Sequence, residues 1–314
     1  MDAIERDLLL KIADLHDIPE GAYNIRENGQ SAGRGNTANI EIVGKTDGKS
    51  GIDIFIKPGT KKESVHIPVI LSKAGWQEMV YNDFYIGEDV DVVIVAGCGI
   101  HNCGGAELTS RHDGVHTFYV GKNARVKYIE KHYGEGDGNG ENIMNPTTVA
   151  HLEEGAYLEM ETTQIKGIDS TDRVTKADLK AGANLIVREK IYTHGKQAAN
   201  TDFSVDMNGE GASADVVSRS VAAENSRQHF NSTMNGNAPC HGPTECDHHG
   251  QRLRHGGALS FRKRYRRGAY SRSRYRQDRG RTAYQTDDAR TYRKGSGGTD
   301  HQGISALTER CAAA

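Results

Sequence analysis

From about residue 90 the chain alternates apolar and polar positions in short runs that repeat. "VGKNARVKYIE" (120–130), "LEEGAYLEMET" (152–162), "LKAGANLIVRE" (179–189) and "MNGEGASADVV" (207–217) share one form. An apolar residue leads into a tight turn, then an alanine, then an alternating strand. The alanines are Ala124, Ala156, Ala183 and Ala212, spaced 32, 27 and 29 residues apart. Alternation of period two places successive side chains on opposite faces of a strand. Self-similarity at this longer period marks a stacked solenoid, because one repeat cannot bury its apolar face alone. No helical pattern lies between the runs, so the repeat predicts a parallel β-helix. A β-sandwich is the structural alternative.

Two other patterns precede the repeat. "MDAIERDLLLKIADLHDIPEG" sets Ile4, Leu8, Ile12 and Leu15 on one helical face, with Pro19 and Gly21 as the stop. "NIEIVGKTDGKSGIDIFIKPG" predicts a hairpin, with Ile40 and Ile42 facing Ile52, Ile54 and Ile56 across a Gly-rich turn. The "GKS" at 48–50 is not a phosphate loop. Three residues separate Gly44 from Gly48 where that loop has four, and the motif sits in a hairpin turn. No nucleotide is therefore assigned to this chain. "GEGDGNGEN" (134–142) lacks EF-hand spacing and reads as a plain loop. The expected organisation is mainly β: an N-terminal helix and hairpin segment over 1–75, a β-helix core over 76–247, and a tail over 248–314.

Charge sets the tail apart. The formal net charge of -2 combines two unlike parts. Residues 1–247 hold 15 Lys and 9 Arg against 37 acidic residues, and residues 248–314 hold 2 Lys and 14 Arg against 5. The tail has no Val, Met or Trp and a single Ile, Ile304. A segment this poor in apolar residues has little to bury and is expected to be disordered. Its arginines interleave with Tyr265, Tyr270, Tyr275, Tyr284 and Tyr292, a composition suited to RNA phosphates and bases. No signal-peptide pattern or long apolar run is present, which predicts a cytoplasmic chain without a membrane span. In a reducing compartment its cysteines are expected to bind metal, react or sit buried rather than pair.

Two stretches carry candidate chemistry. "VAGCGIHNCGGAELTSRHDGVHTFYVG" (95–121) brings Cys98, His101, Cys103, His112 and His116 close in sequence. Thiolate and imidazole together suit zinc, copper or iron–sulfur chemistry, so these five are candidate metal ligands. The C-x2-H-x-C spacing is not a standard zinc-finger half. The other reading makes Cys98 a small buried residue ending the apolar run Val92, Val93, Ile94, Val95. "NGNAPCHGPTECD" (235–247) adds Cys240, His241 and Cys246, with a solenoid-edge turn as its other reading. A solenoid can bring the two stretches together although they lie more than a hundred residues apart.

At these residues the chain resembles a family. "IPEGAYNIRENG", "VAGCGIHNCGG", "HDGVHTFYVGKNARVKYIEKHYGEG" and "NGNAPCHGPTECD" look like the short SufB/SufD type of iron–sulfur cluster assembly protein, from near the N-terminus to about Asp247. The resemblance implies a non-catalytic scaffold with a parallel β-helix core. It implies pairing with a SufB/SufD-type partner or with itself. It implies docking of the ABC-type ATPase SufC on a C-terminal helical region, and a transient iron–sulfur cluster held by residues such as Cys98, Cys240 and Cys246. Cys98 sits where longer SufB proteins have a core cysteine linked to sulfur entry. Two readings from other classes stand beside this one: a stand-alone Cys/His metal-binding solenoid and an RNA-binding protein with a basic tail.

After Asp247 the resemblance stops. The family continues with a stretch like "AIIMD", an H-E-A-x-I-G-K-I motif and two helices. Read from the second base of each codon, "DHHGQR" (247–252) permits "IIMDNA". The same shift lets Arg274 to Ser305 encode two amphipathic helices separated by a glycine, with a capping box opening the second. The printed tail has no periodicity. Residues 248–314 therefore read as out-of-frame translation, with no specific nucleic-acid partner expected.

Overall fold

The computed structural model describes residues 3–15, 19–237, 258–265, 271–278 and 281–287. The chain opens with α1 (Ala3–Ala13), followed by β1 (Ala22–Glu27), β2 (Gln30–Gly35), β3 (Ile40–Gly44) and β4 (Gly51–Ile56). Long strands then follow in close succession: β5 (Lys61–Leu71), β6 (Gln77–Ile86), β7 (Asp91–His101), β8 (Ser110–Val120) and β9 (Arg125–Glu135). The next turn of the chain is interrupted, giving β10 (Asn142–Met144) and β11 (Thr147–Leu152). Regular strands resume with β12 (Tyr157–Lys166), β13 (Ser170–Leu179), β14 (Asn184–Thr193), β15 (Ala198–Met207), β16 (Ser213–Ala222) and β17 (Arg227–Gly236).

Successive strands alternate between two facing sheets. One sheet runs β2-β1-β5-β7-β9-β12-β14-β16, and the other runs β17-β15-β13-β10-β8-β6-β4-β3, with β11 also bridging β8 and β13. From β5 to β17 every pair within a sheet is parallel. This is the parallel β-helix that the repeat predicts, and its parallel pairing begins with β1 against β5. The expected hairpin is also present, with Ile40 opposite Ile56 and Ile42 opposite Ile54. Three further strands lie in the tail: β18 (Ala258–Tyr265), β19 (Ser271–Asp278) and β20 (Arg281–Asp287). They pair antiparallel with β17, β16 and each other, so the parallel repeat ends at β17.

The four repeat alanines have no exposed surface. Each closes a turn by donating its N–H to the carbonyl three residues earlier, as Ala156 does to Glu153 at 3.0 Å. The residue after each alanine bonds the rung below: Tyr157 N–H reaches Ala124 O at 2.8 Å and Asn184 N–H reaches Ala156 O at 2.8 Å. This corner column begins with Val90, also fully buried, whose carbonyl accepts from Arg125 N–H at 2.7 Å. On either side of it the inward residues are apolar, including Phe84 and Phe118, whose rings stack at 4.4 Å between centroids.

α1 differs from its sequence reading in two respects. Its packed face is Leu8, Leu9 and Ile12, while Ile4 is exposed. It ends at Ala13, well before Pro19. Asp14 takes a left-handed φ of 55°, and its N–H closes on Leu10 O at 3.0 Å, which caps the helix. The helix lies on the outer face of β7, over Gly97 and Gly99. A Cβ on Gly97 would sit 2.6 Å from the Ile12 carbonyl oxygen, so only glycine allows this approach. Gly97→Ala is expected to lift α1 off the sheet and leave the rungs intact. Limited proteolysis should then cut the first 20 residues faster than in the parent chain, and an unchanged cutting rate would refute this account of the docking.

Candidate functional site

The interior of the solenoid is divided lengthwise. Near the alanine corner the inward residues are apolar. From β9 to β16 the inward positions further along the strands turn polar: Glu130 and His132 on β9, Thr162 and Gln164 on β12, Glu189 on β14, Ser218 and Ser220 on β16. The register aligns them, since Glu130 pairs with Thr162, Thr162 with Glu189, and Glu189 with Ser218. The opposite sheet contributes His112 and His116 from β8, Arg173 from β13 and Thr201 from β15.

Cys98 stands at one end of this column. It points inward from β7, is buried, and pairs in register with His132. Its thiol is hydrogen-bonded to His132 and, across the interior, to His112. The His112 Nδ1 lies 3.0 Å from Glu78 Oε1, which leaves Nε2 for the sulfur. Gly114, between His112 and His116 on the same inward row, makes room for both rings: a Cβ there would lie 3.2 Å from His112 Nε2. Burial alone would raise the Cys98 thiol. The charge and hydrogen bond of His112, then those of His132, outweigh it and bring the group down to about 7. Burial likewise pulls His112 down, but Cys98 and then Glu78 raise it to about 10. Both shifts run toward a thiolate–imidazolium pair.

The neighbouring charges are closed on themselves. Arg173 Nη1 donates to Glu130 Oε2 at 2.9 Å, Nη2 donates to His132 Nδ1 at 3.2 Å, and Nε lies 3.4 Å from Glu189 Oε2. With His132 Nδ1 accepting from Arg173, its proton sits on Nε2, toward Glu130 Oε1 at 3.4 Å. Burial opposes ionisation of Glu130, yet His132, Arg173 and His116 hold its carboxyl well below the ordinary range. Glu189 accepts from Ser218 Oγ at 2.8 Å and from Thr201 Oγ1 at 3.2 Å.

His116 behaves oppositely to His112. Asn82 Nδ2 donates to its Nε2 at 3.3 Å. Its Nδ1–H then donates to Tyr128 Oη at 2.7 Å, and Tyr128 donates to Glu130 at 2.9 Å. This chain of donors suits a neutral ring, and burial pushes His116 down to about 4.

The sequence candidates thus fall into three groups. Cys98, His112 and His116 share the interior. His101 and Cys103 do not join them: Cys103 is exposed at a corner, with its Sγ 2.8 Å from His101 Nε2, and a hydrogen bond to Asp137 raises its thiol. The Gly-rich loop at 134–142 supports that corner, with Asn139 N–H bonding Gly104 O at 2.9 Å. Cys240, His241 and Cys246 lie outside the described residues. Among the described residues, no three His, Cys, Asp or Glu side chains are placed as a metal-binding set. The motif reading missed Glu78, Tyr128, Glu130, His132, Arg173 and Glu189. A signal for them exists, because each is polar at the inward parity of an alternating strand.

Comparison with known proteins identifies the family of the sequence. The family described as the SUF system FeS cluster assembly, SufBD core domain, matches residues 86–246. The chain belongs to the SufBD family. It is also similar to an iron–sulfur cluster assembly SufBD family protein of Methanocaldococcus jannaschii, 26% identical over 203 residues. That match covers 64% of this chain and 62% of the relative, so this SufBD-family chain spans less than two thirds of the relative's length. No solved structure matches it. The match to the family model runs through Cys98, His112, His116, Glu130, His132, Arg173 and Glu189 and starts after Glu78. Family membership connects the chain to iron–sulfur cluster assembly. No helix among the described residues is long and apolar enough to cross a membrane.

The neutral state of His116 gives an acid-sensitivity test. Its folded value of about 4 lies below the unfolded value near ~6.5. As pH falls through that window the unfolded chain takes up a proton that the folded chain refuses, so stability is lost, by about 3 kcal/mol at most. His116→Gln keeps a donor and an acceptor without titrating. Its melting temperature should therefore fall less steeply than the parent's between pH 6.5 and 4, and parallel slopes would exclude this role for His116.

Proposed function

We propose that this chain is a scaffold component of a cytoplasmic SUF-type system, holding sulfur and iron while an iron–sulfur cluster is built as cargo. The observation that carries this reading is Cys98, buried between His112 and His132 with its thiol lowered to about 7. A thiolate available at neutral pH is what sulfane-sulfur transfer needs. In that step the Cys98 thiolate attacks the outer sulfur of a donor persulfide, R–S–SH. The donor S–S bond breaks, a new S–S bond forms on Cys98, and the donor leaves as R–S⁻. The hydrogen on the transferred sulfur stays with it. Cys240 and Cys246 are assigned to holding the cargo by the resemblance of their motif, with His241 beside them as a candidate metal ligand. The chain turns over no substrate in this scheme, and ATP hydrolysis belongs to a SufC-type partner. A SufB/SufD-type chain or a second copy completes the complex.

The test of the thiol is direct. Anaerobic incubation of the full chain with inorganic polysulfide should add sulfane sulfur to the Cys98 peptide, read by mass spectrometry. Cys98→Ser should lose that mass shift and, with ferrous iron and sulfide supplied, assemble less cluster. Equal cluster formation by Cys98→Ser would refute the reading.

Partner docking has its own test. The printed tail carries none of the helical periodicity on which the resemblance places SufC binding. The chain with this tail is expected not to capture a SufC-type ATPase in a pull-down, and a version restored by a one-base shift near the Asp247 codon is expected to capture it. Equal capture by both would show that docking does not depend on the restored segment.

A further inference from the structure

We propose that Glu78 is the positioning residue for Cys98, acting through His112 and held in turn by Arg26. The inference rests on the reading of Cys98 as the sulfur-bearing thiol and adds what sets that thiol for its task. Nothing in the sequence motifs points to Glu78, which lies before the residues that match the family.

The geometry has three links. Glu78 projects inward from the start of β6 and is the register partner of His112 on β8. Its Oε1 lies 3.0 Å from His112 Nδ1, and both side chains are buried. Nδ1 is thereby committed to the carboxylate, and Nε2 is aimed at Cys98. The second carboxylate oxygen is held by Arg26 Nε at 3.1 Å, and Arg26 Nη2 donates to Ser50 Oγ at 2.7 Å. A nucleophile, a base and a third group that orients the base form the arrangement by which enzymes activate thiols and hydroxyls. Here the orienting group also balances charge, since a buried imidazolium without a counter-ion is costly.

The other groups around Cys98 are already occupied. His132 is shared with Glu130 and Arg173, Tyr128 with His116 and Glu130, and Asn82 with His116. Glu78 is thus the carboxylate whose contact fixes the ring that reaches Cys98 from the facing sheet. A cavity of about 10 Å³, room for one water, lies beside Arg26 and is lined also by Asn24, Asn82 and Val69. Val69 is the register neighbour of Cys98.

The test uses the full chain and reads Cys98 alone by peptide mass spectrometry. Two probes are run across pH 5.5 to 10: inorganic polysulfide for sulfur loading and iodoacetamide for alkylation. In the parent chain both rates should rise with pH and reach half-maximum near neutrality. Glu78→Gln should move the half-maximum upward by about one pH unit and slow reaction at pH 7 about tenfold, with the rate recovering at high pH. Glu78→Asp, which keeps the charge on a shorter arm, should fall between the two. It supplies the measurement if Glu78→Gln does not fold. A Glu78→Gln profile that overlays the parent's, in a folded protein, overturns the proposal while leaving Cys98 as the sulfur carrier. Failure of the parent to take sulfur, with the alkylation profile still shifted by Glu78→Gln, overturns the carrier reading and keeps the positioning role.

Discussion

In-register parallel stacking is the constraint on which the rest of this structure depends. Each residue in a rung lies directly above its counterpart in the rung below, about 4.8 Å away. Side chains of one column therefore share one environment. Small buried residues recur at one corner, with Ala124, Ala156, Ala183 and Ala212 stacked in succession on Val90. A polar group placed inside is costly unless it finds a partner in the next rung or across the interior, as Glu130 and Glu189 do in Arg173. The division of the core into an apolar side and a polar side follows from that rule.

The polar side is also where charge has to be balanced without solvent. Arg173 meets this demand by touching Glu130, His132 and Glu189 from a single guanidinium, whose planar fork suits several acceptors at once. Glu78 and Arg26 do the same at the N-terminal end. Between these two ion clusters lies Cys98. Its two imidazole neighbours are each tied to a different carboxylate, so the thiol is held from both sheets. His116, about 13 Å along the same strand, is driven toward the neutral form by burial, and its contacts form a one-way chain of donors that suits it. Two buried histidines four residues apart thus shift in opposite directions, His116 downward by burial and His112 upward against burial by Cys98 and Glu78.

Much of the fold was legible in the sequence, because alternation and a repeating alanine turn are direct consequences of strand geometry and rung height. The hairpin at Ile40 and Ile54 was legible for the same reason. The helix boundary was not, since Asp14 ends α1 through a backbone conformation that its side chain does not announce. The site was half legible. Cys98, His112 and His116 stood out as a Cys/His motif, but closeness in sequence also drew in His101 and Cys103, which the corner after β7 carries to the outside. Arg173 and Glu189 were hidden because spacing motifs search along the chain, whereas a solenoid assembles its interior across rungs. Charged residues at inward parity were the available sign. In an ordinary half-exposed strand the same letters would merely face water.

The polar column also has a length. Along one sheet Cys98 and Ser218 are separated by four strand steps, from β7 through β9, β12 and β14 to β16. At about 4.8 Å per step this is about 19 Å. No side chain spans such a distance, and neither thiol nor imidazole can hand anything over it in one contact. Exchange between the two ends must be divided into hops of one rung, or must wait for the rungs themselves to part. The stacking that gives the interior its order thereby gives it a minimum number of stages.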